Sequence, residues 1–353
     1  MIRQSHFGTL PDGQPVERYT LDNETGLSVS LLTYGGILQA LEAPDRWGQP
    51  GPVVLGYDRL EDYMANPAYV GAVIGPAAGR LGDAVLVMGQ ERYPLPANNG
   101  ANTLHGGPEG FHRRLMAAET FETPEALAVM LRFSPPHGTS GYPGALEVVL
   151  EYVLQRRENS LQLNLSAVSD RRTYLNLTHH GYFNLSGGSS PVTDHRLQLA
   201  AEAFAPVDGA MLPCAGWASV AGTPFDLREP RLLETVLAET HSQLDQAGGI
   251  DHPFRLTPVA AAGAEPCARL HHPASGRQLT VSTDQPHLVV YSGNFLQEAA
   301  VPSGKTFGRH QGICFEAQEV PNAPGSPYFP CRYLEAGERY RRFLRYDFST
   351  VSP

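Results

Sequence analysis

Lysine is almost missing from this 353-residue chain: Lys305 is its one lysine among 26 basic side chains, set against 36 acidic ones. The formal net charge is −10, and no basic run or basic helical stripe occurs. Nucleic acid and anionic membrane surfaces need clustered positive charge, so neither is an expected partner. Long apolar runs are lacking as well. None approaches the ~18 residues that a bilayer-spanning helix requires. Met1 to Leu10 has no basic stretch followed by an apolar one, so no secretory leader is expected. Cysteine is scarce: Cys214, Cys267, Cys314 and Cys331, with no C-x-x-C pair. In a chain this long they read as free thiols, small buried hydrophobes in a reducing cytoplasm.

Glycine and proline are plentiful, at 36 and 30, while 42% of residues are hydrophobic and 18% charged. That is an ordinary globular composition with many turns between short strands. Length alone would suggest about two domains, but large β-sandwiches often run as one. With no repeat or low-complexity linker, residues 1–353 are expected to form one domain.

Period-two alternation dominates. Leu146, Val148, Leu150, Tyr152 and Leu154 recur every second residue; so do Leu161, Leu163 and Leu165, then Leu344, Tyr346 and Phe348. Such spacing places one set on a core face and the other toward solvent. Turn signals separate the runs at Pro11-Asp12-Gly13, Asn98-Asn99-Gly100, Ser186-Gly187-Gly188 and Ala323-Pro324-Gly325. One stretch, Glu229 to Leu244, reads helical: Leu232, Leu233, Val236 and Leu237 share a face, and Pro230 suits a first turn. The expected fold class is all-β: a large antiparallel β-sandwich with few short helices.

Four segments carry protonatable groups between strand-like flanks. Asn102 to Gly107 reads N-T-L-H-G-G, with glycines that would let backbone approach a ligand. His105 could equally be a turn histidine bonded to backbone. Asn176 to Leu185 contains His179-His180; adjacent strand residues face opposite ways, so one can line a pocket while the other serves structure. Gly248 to His252 places Asp251 after a glycine pair. Gly312 to Gln318 carries Glu316 on an apolar run that should be a buried strand. A buried carboxylate needs either a charged partner such as an arginine or a catalytic task.

In order and context these segments resemble the galactose mutarotase (aldose 1-epimerase) family. Its N-x-L-H-G-G corresponds to Asn102–Gly107, its N-L-T-N-H-x-Y-F-N-L to Asn176–Leu185, and its glycine-rich aspartate segment to Gly248–Asp251. Its E-T-Q strand corresponds to Glu316–Gln318, followed by the proline-rich Pro321–Pro330. Gly222–Leu227 and Tyr34–Gly36 match further family segments. The resemblance spans nearly the whole chain. It departs where G-R-x-x-N-R reads Gly75-Pro76-Ala77-Ala78-Gly79-Arg80, where His179 replaces an Asn, and where Ala317 replaces a Thr.

The resemblance implies a mutarotase-like supersandwich and an isomerase that interconverts the α and β anomers of a free aldose such as galactose or glucose. Ring opening takes a proton from the C1 hydroxyl and gives one to the ring oxygen. A carboxylate ionised at neutral pH and an imidazole able to hold a proton suit that task. By resemblance Glu316 is the base and His180 the acid. Arg80 and His105 hold the ring oxygen and neighbouring hydroxyls, and Asp251 accepts hydroxyls further round. No cofactor or metal is implied; the partner is a monosaccharide, and the protein is expected to be a cytoplasmic monomer or homodimer. With Pro76 and Gly79 removing polar groups, discrimination among sugar epimers should be shallow. A carbohydrate-binding module would leave the acid–base pair idle. A glycoside hydrolase built on Asp251 and Glu316 would leave the histidines without a role. A metal enzyme finds no H-E-x-x-H or H-x-H among the 13 histidines.

Overall fold

A computed structural model describes residues 1–188 and 190–352. Three larger antiparallel sheets of five, nine and six strands make the body of the molecule, joined by two-stranded ribbons. The five-stranded sheet is a meander running from Ile2–Thr9 to Pro50–Pro52. The nine-stranded sheet has Leu146–Gln155, Ser160–Ser169 and Arg339–Thr350 near its middle. These are the strands that the alternation marks out. Leu146, Val148, Leu150, Tyr152 and Leu154 are all buried, whereas Glu147 is exposed.

The six-stranded sheet carries the chemistry. Its order is Tyr182–Phe183, Ile313–Gln318, His287–Tyr291, Asp251–Leu256, Ala201–Phe204 and Ala218–Ser219. On Ile313–Gln318 the side chains of Ile313, Phe315 and Ala317 join the main hydrophobic core with Leu344 and Tyr346 of the nine-stranded sheet. Period two then turns Cys314, Glu316 and Gln318 to the opposite face. All six residues are buried, as expected for this segment. Phe315 is fully buried, and its ring supplies roughly 2–3 kcal/mol of transfer free energy that fixes the strand.

Helices are few and short. The single helix expected over Glu229–Leu244 is two pieces, Leu233–Leu237 and Ser242–Ala247, preceded by the bridge Arg231–Leu232. Leu233 and Val236 are buried as the spacing requires. The break comes because His241 is extended and caps the second piece, its side chain accepting from the Gln243 N–H. Pro230 lies ahead of the bridge and does not open the helix. The thiols also divide: Cys267 and Cys314 are buried, Cys331 is half-buried and Cys214 exposed, and all four are free. His272, in a turn before Pro273, is buried and bonded to Ser275 Oγ at 2.8 Å.

Candidate active site

A cleft of about 840 Å³ opens over the face of the six-stranded sheet that bears Glu316. Register sets its floor. Val289 pairs with Glu316, Tyr291 with Cys314 and His287 with Gln318. On the next strand Asp251 pairs with Tyr291 and Pro253 with Val289. Asp251, Tyr291 and Cys314 therefore form one row, Pro253, Val289 and Glu316 the next, and His287 and Gln318 the one beyond.

The cleft gathers all five side chains singled out in the sequence: Arg80, His105, His180, Asp251 and Glu316. His180 Nε2 lies 3.6 Å from Glu316 Oε1, with both residues under 5% exposed. Among the described residues Glu316 has no arginine partner, and its Oε2 has no hydrogen bond. The adjacent histidines part as the strand geometry requires. His179 is in the core, between the Tyr346 hydroxyl at 2.9 Å and the Gly71 carbonyl at 3.2 Å. His180 faces the cleft, with Cys314 Sγ 3.5 Å from its Nδ1.

His105 has its backbone in the left-handed region, φ 52°. It is held there by Gly79. The Gly79 carbonyl accepts the His105 N–H at 2.9 Å, and the Gly79 N–H donates to His105 Nδ1 at 3.2 Å. An accepting Nδ1 leaves the neutral ring's hydrogen on Nε2. Burial, followed by unfavourable interactions with a protonated His180 and with Arg80, keeps His105 well below the usual histidine pKa. Gly106 and Gly107, expected to approach a ligand, do not line the cleft. Gly106 instead lets the chain pass against the Gly75 carbonyl.

Arg80 is oriented by Asn99, whose Oδ1 accepts from Nε at 2.9 Å. Of the two departures flanking it, Gly79 lines the cleft and Pro76 does not. The Pro76 carbonyl accepts the Asn176 N–H at 2.8 Å.

Several lining residues escaped sequence reasoning. Tyr69, in a left-handed turn, packs edge-on to His105 at 4.7 Å and His112 at 4.8 Å. His105 and His180 are themselves edge-on at 5.1 Å, and Tyr182 packs on His180 at 5.0 Å. Phe295 and Met211, from surface segments, complete the rim. None lies in a periodic pattern with the acid–base residues; Tyr182 alone, inside the His180 segment, offered a signal.

Desolvation governs the protonation states. It lowers His180 to about 3 and raises Glu316 well above the usual carboxylate value. Asp251 raises Glu316 further, and the Arg80 guanidinium opposes the rise. Asp251 is itself raised by burial. The expected resting state, carboxylate beside imidazolium, is thus disfavoured relative to the neutral pair, which carries the same number of protons. Tertiary folding also assembles what linear spacing did not show, a His105, His180 and Glu316 donor set with ligand atoms within 4.8 Å of one another. Two histidines and a glutamate can hold zinc. Here the Gly79 N–H places the His105 hydrogen on Nε2, and a metal at that nitrogen would have to displace it.

Fold and cleft describe a β-supersandwich whose cleft holds a buried histidine–glutamate pair. A family model for aldose 1-epimerase matches residues 17–347. The chain is 40% identical to galactose mutarotase of Bos taurus over 355 residues, covering 99% of each chain. It is 33% identical to aldose 1-epimerase of Escherichia coli over 341 residues, covering 96% of each. The crystal structure of galactose 1-epimerase from Lactobacillus acidophilus superposes with a TM-score of 0.87 at 31% identity, covering 100% of this chain and 99% of that one. The chain belongs to the aldose 1-epimerase family.

Proposed function

We propose that this aldose 1-epimerase opens and recloses the pyranose ring of a free aldose, galactose or glucose in the first instance, with Glu316 and His180 moving the protons. Glu316 takes the proton from the C1 hydroxyl and His180 delivers one to the ring oxygen. The C1–O5 bond breaks, the aldehyde turns, and closure on its other face reverses both transfers. The observation that carries this reading is the 3.6 Å approach of two buried, oppositely suited groups in one cleft. The reactive arrangement, proton on His180, is a tautomer of the resting neutral pair. Substrate hydroxyls and the Arg80 guanidinium favour the ionised carboxylate once the sugar is seated. Arg80 and the Nε2–H of His105 supply donors around the ring, and Asp251 an acceptor. One folded unit over the described residues accords with this, since Arg80, His180 and Glu316 come from distant parts of the chain.

Glu316→Gln keeps shape and a polar tip but removes the proton acceptor. Polarimetry of freshly dissolved α-galactose should show kcat reduced by roughly 10²–10⁴-fold. Calorimetry should show sugar still bound. His180→Asn should behave alike, and the double variant should be little worse than either single one. A Glu316→Gln enzyme with normal kcat would remove Glu316 from this role. A wild type that binds aldoses without accelerating anomerisation would make the cleft a binding site.

A further inference from the structure

Gln318 stands in the same buried strand as Glu316, two residues on, with its side chain on the same face. It is 1% exposed, and its Oε1 has no hydrogen-bond partner. A buried amide oxygen without a partner costs free energy unless something else completes it. Its cross-strand neighbour, His287, does not do so: His287 Nδ1 is likewise without a hydrogen bond, facing Glu319 Oε2 at 3.7 Å. The cleft is what remains for the amide to address.

Register says which part of a sugar lies there. The His180 ring spans two rows, its Nδ1 3.5 Å from Cys314 Sγ and its Nε2 3.6 Å from Glu316 Oε1, and Tyr291 and Asp251 belong to the Cys314 row. Gln318 belongs to the row on the other side of Glu316, about 7 Å along the strand. C1 of an aldopyranose has two ring neighbours, the ring oxygen and C2. With the C1 hydroxyl over Glu316 and the ring oxygen on the His180 side, a ring whose C2 points along the strand away from the Cys314 row brings its C2 hydroxyl toward the row beyond Glu316. That direction leads to Gln318.

We infer that Gln318 is a specificity residue whose side-chain amide hydrogen-bonds the C2 hydroxyl of the substrate. This rests on the assignment of Glu316 and His180 to the anomeric centre. A site built to bond a hydroxyl rejects the sugar that lacks it, because its own polar atom is then stranded. The contact touches a substituent and not the reacting atoms, so it belongs to binding and orientation.

The test compares galactose with 2-deoxygalactose and 4-deoxygalactose, each corrected for its uncatalysed rate. The unaltered protein should lose roughly tenfold or more in kcat/KM on 2-deoxygalactose, chiefly through KM. In Gln318→Leu the two sugars should come within about twofold of each other, while the ratio for 4-deoxygalactose stays as in the parent. The same sugars titrated calorimetrically give the contact without reference to turnover. If the parent enzyme fails to anomerise any aldose, the acid–base reading falls while calorimetry still decides on Gln318. A parent protein indifferent to the C2 hydroxyl overturns the inference without any variant. So does a Gln318→Leu protein that keeps the parental ratio, or one that loses kcat equally on all three sugars.

Discussion

At Gly79 two structural demands meet in one residue. Its φ of 73° lies in the left-handed region, and an added Cβ would stand 2.6 Å from the Pro321 ring. Its N–H also fixes the tautomer of His105. Gly79→Ala should therefore cost about 1 kcal/mol or more in stability. It should also release His105 from a single tautomer, which ¹⁵N spectra of labelled histidine would show, with kcat/KM lowered roughly tenfold. At the His180–Glu316 pair, burial sets the expected pH profile. One proton belongs to the pair. A second enters only as pH falls toward the depressed His180 value of about 3, and the first leaves above the usual carboxylate range because Glu316 is raised. kcat/KM should thus hold steady down to about pH 4 and fall on the alkaline side. An acid limb with its midpoint near the ordinary histidine value of about 6.5 would show that His180 titrates as a solvated imidazole.

Among the elements, Ile313–Gln318 does two jobs through one alternation. Phe315 and Ala317 anchor it in the core while Glu316 and Gln318 face the cleft. Phe315→Ala should cost about 3–5 kcal/mol of stability, read from denaturant midpoints. It should lower kcat more than KM, since the strand's hold on Glu316 loosens. This strand was legible in the sequence because an apolar run interrupted by a carboxylate leaves few alternatives. The helix over Glu229–Leu244 was not, because its apolar spacing continues across Ala238 to His241 while the backbone turns and restarts from the His241 cap. Periodicity records which residues are buried, and it does so without regard to a break in the hydrogen-bond ladder. Gln318 was visible as the last letter of a motif, yet only register against His287 shows on which side of Glu316 it lies.

Across the whole molecule, burial of neutral histidines ties stability to pH. His105, His112, His179, His180, His252 and His287 are all lowered, with desolvation the leading cause. Below the unfolded value of about 6.5 the unfolded chain takes up protons that the folded one refuses, so stability is complete above that value and falls with pH. Glu316, Asp251 and Glu319, raised by burial, act in the opposite sense, their contribution being lost as pH rises, but they are fewer. Thermal unfolding at pH 5 should come roughly 5 °C or more below that at pH 7; an unchanged Tm would mean that these rings are solvated. Composition and spacing set the all-β class, the alternating core strands and the buried carboxylate strand, and the resemblance of its motifs to a family pointed to the five polar residues of the cleft. Each is written in local spacing or in a contiguous motif. The tertiary structure alone decided which face of the sheet carries the cleft, the 3.6 Å approach of His180 to Glu316, the Gly79 clamp on His105 and the aromatic wall of Tyr69 and Tyr291. Those contacts join residues far apart in the chain, so they are fixed by strand register and loop packing, and no local pattern encodes them.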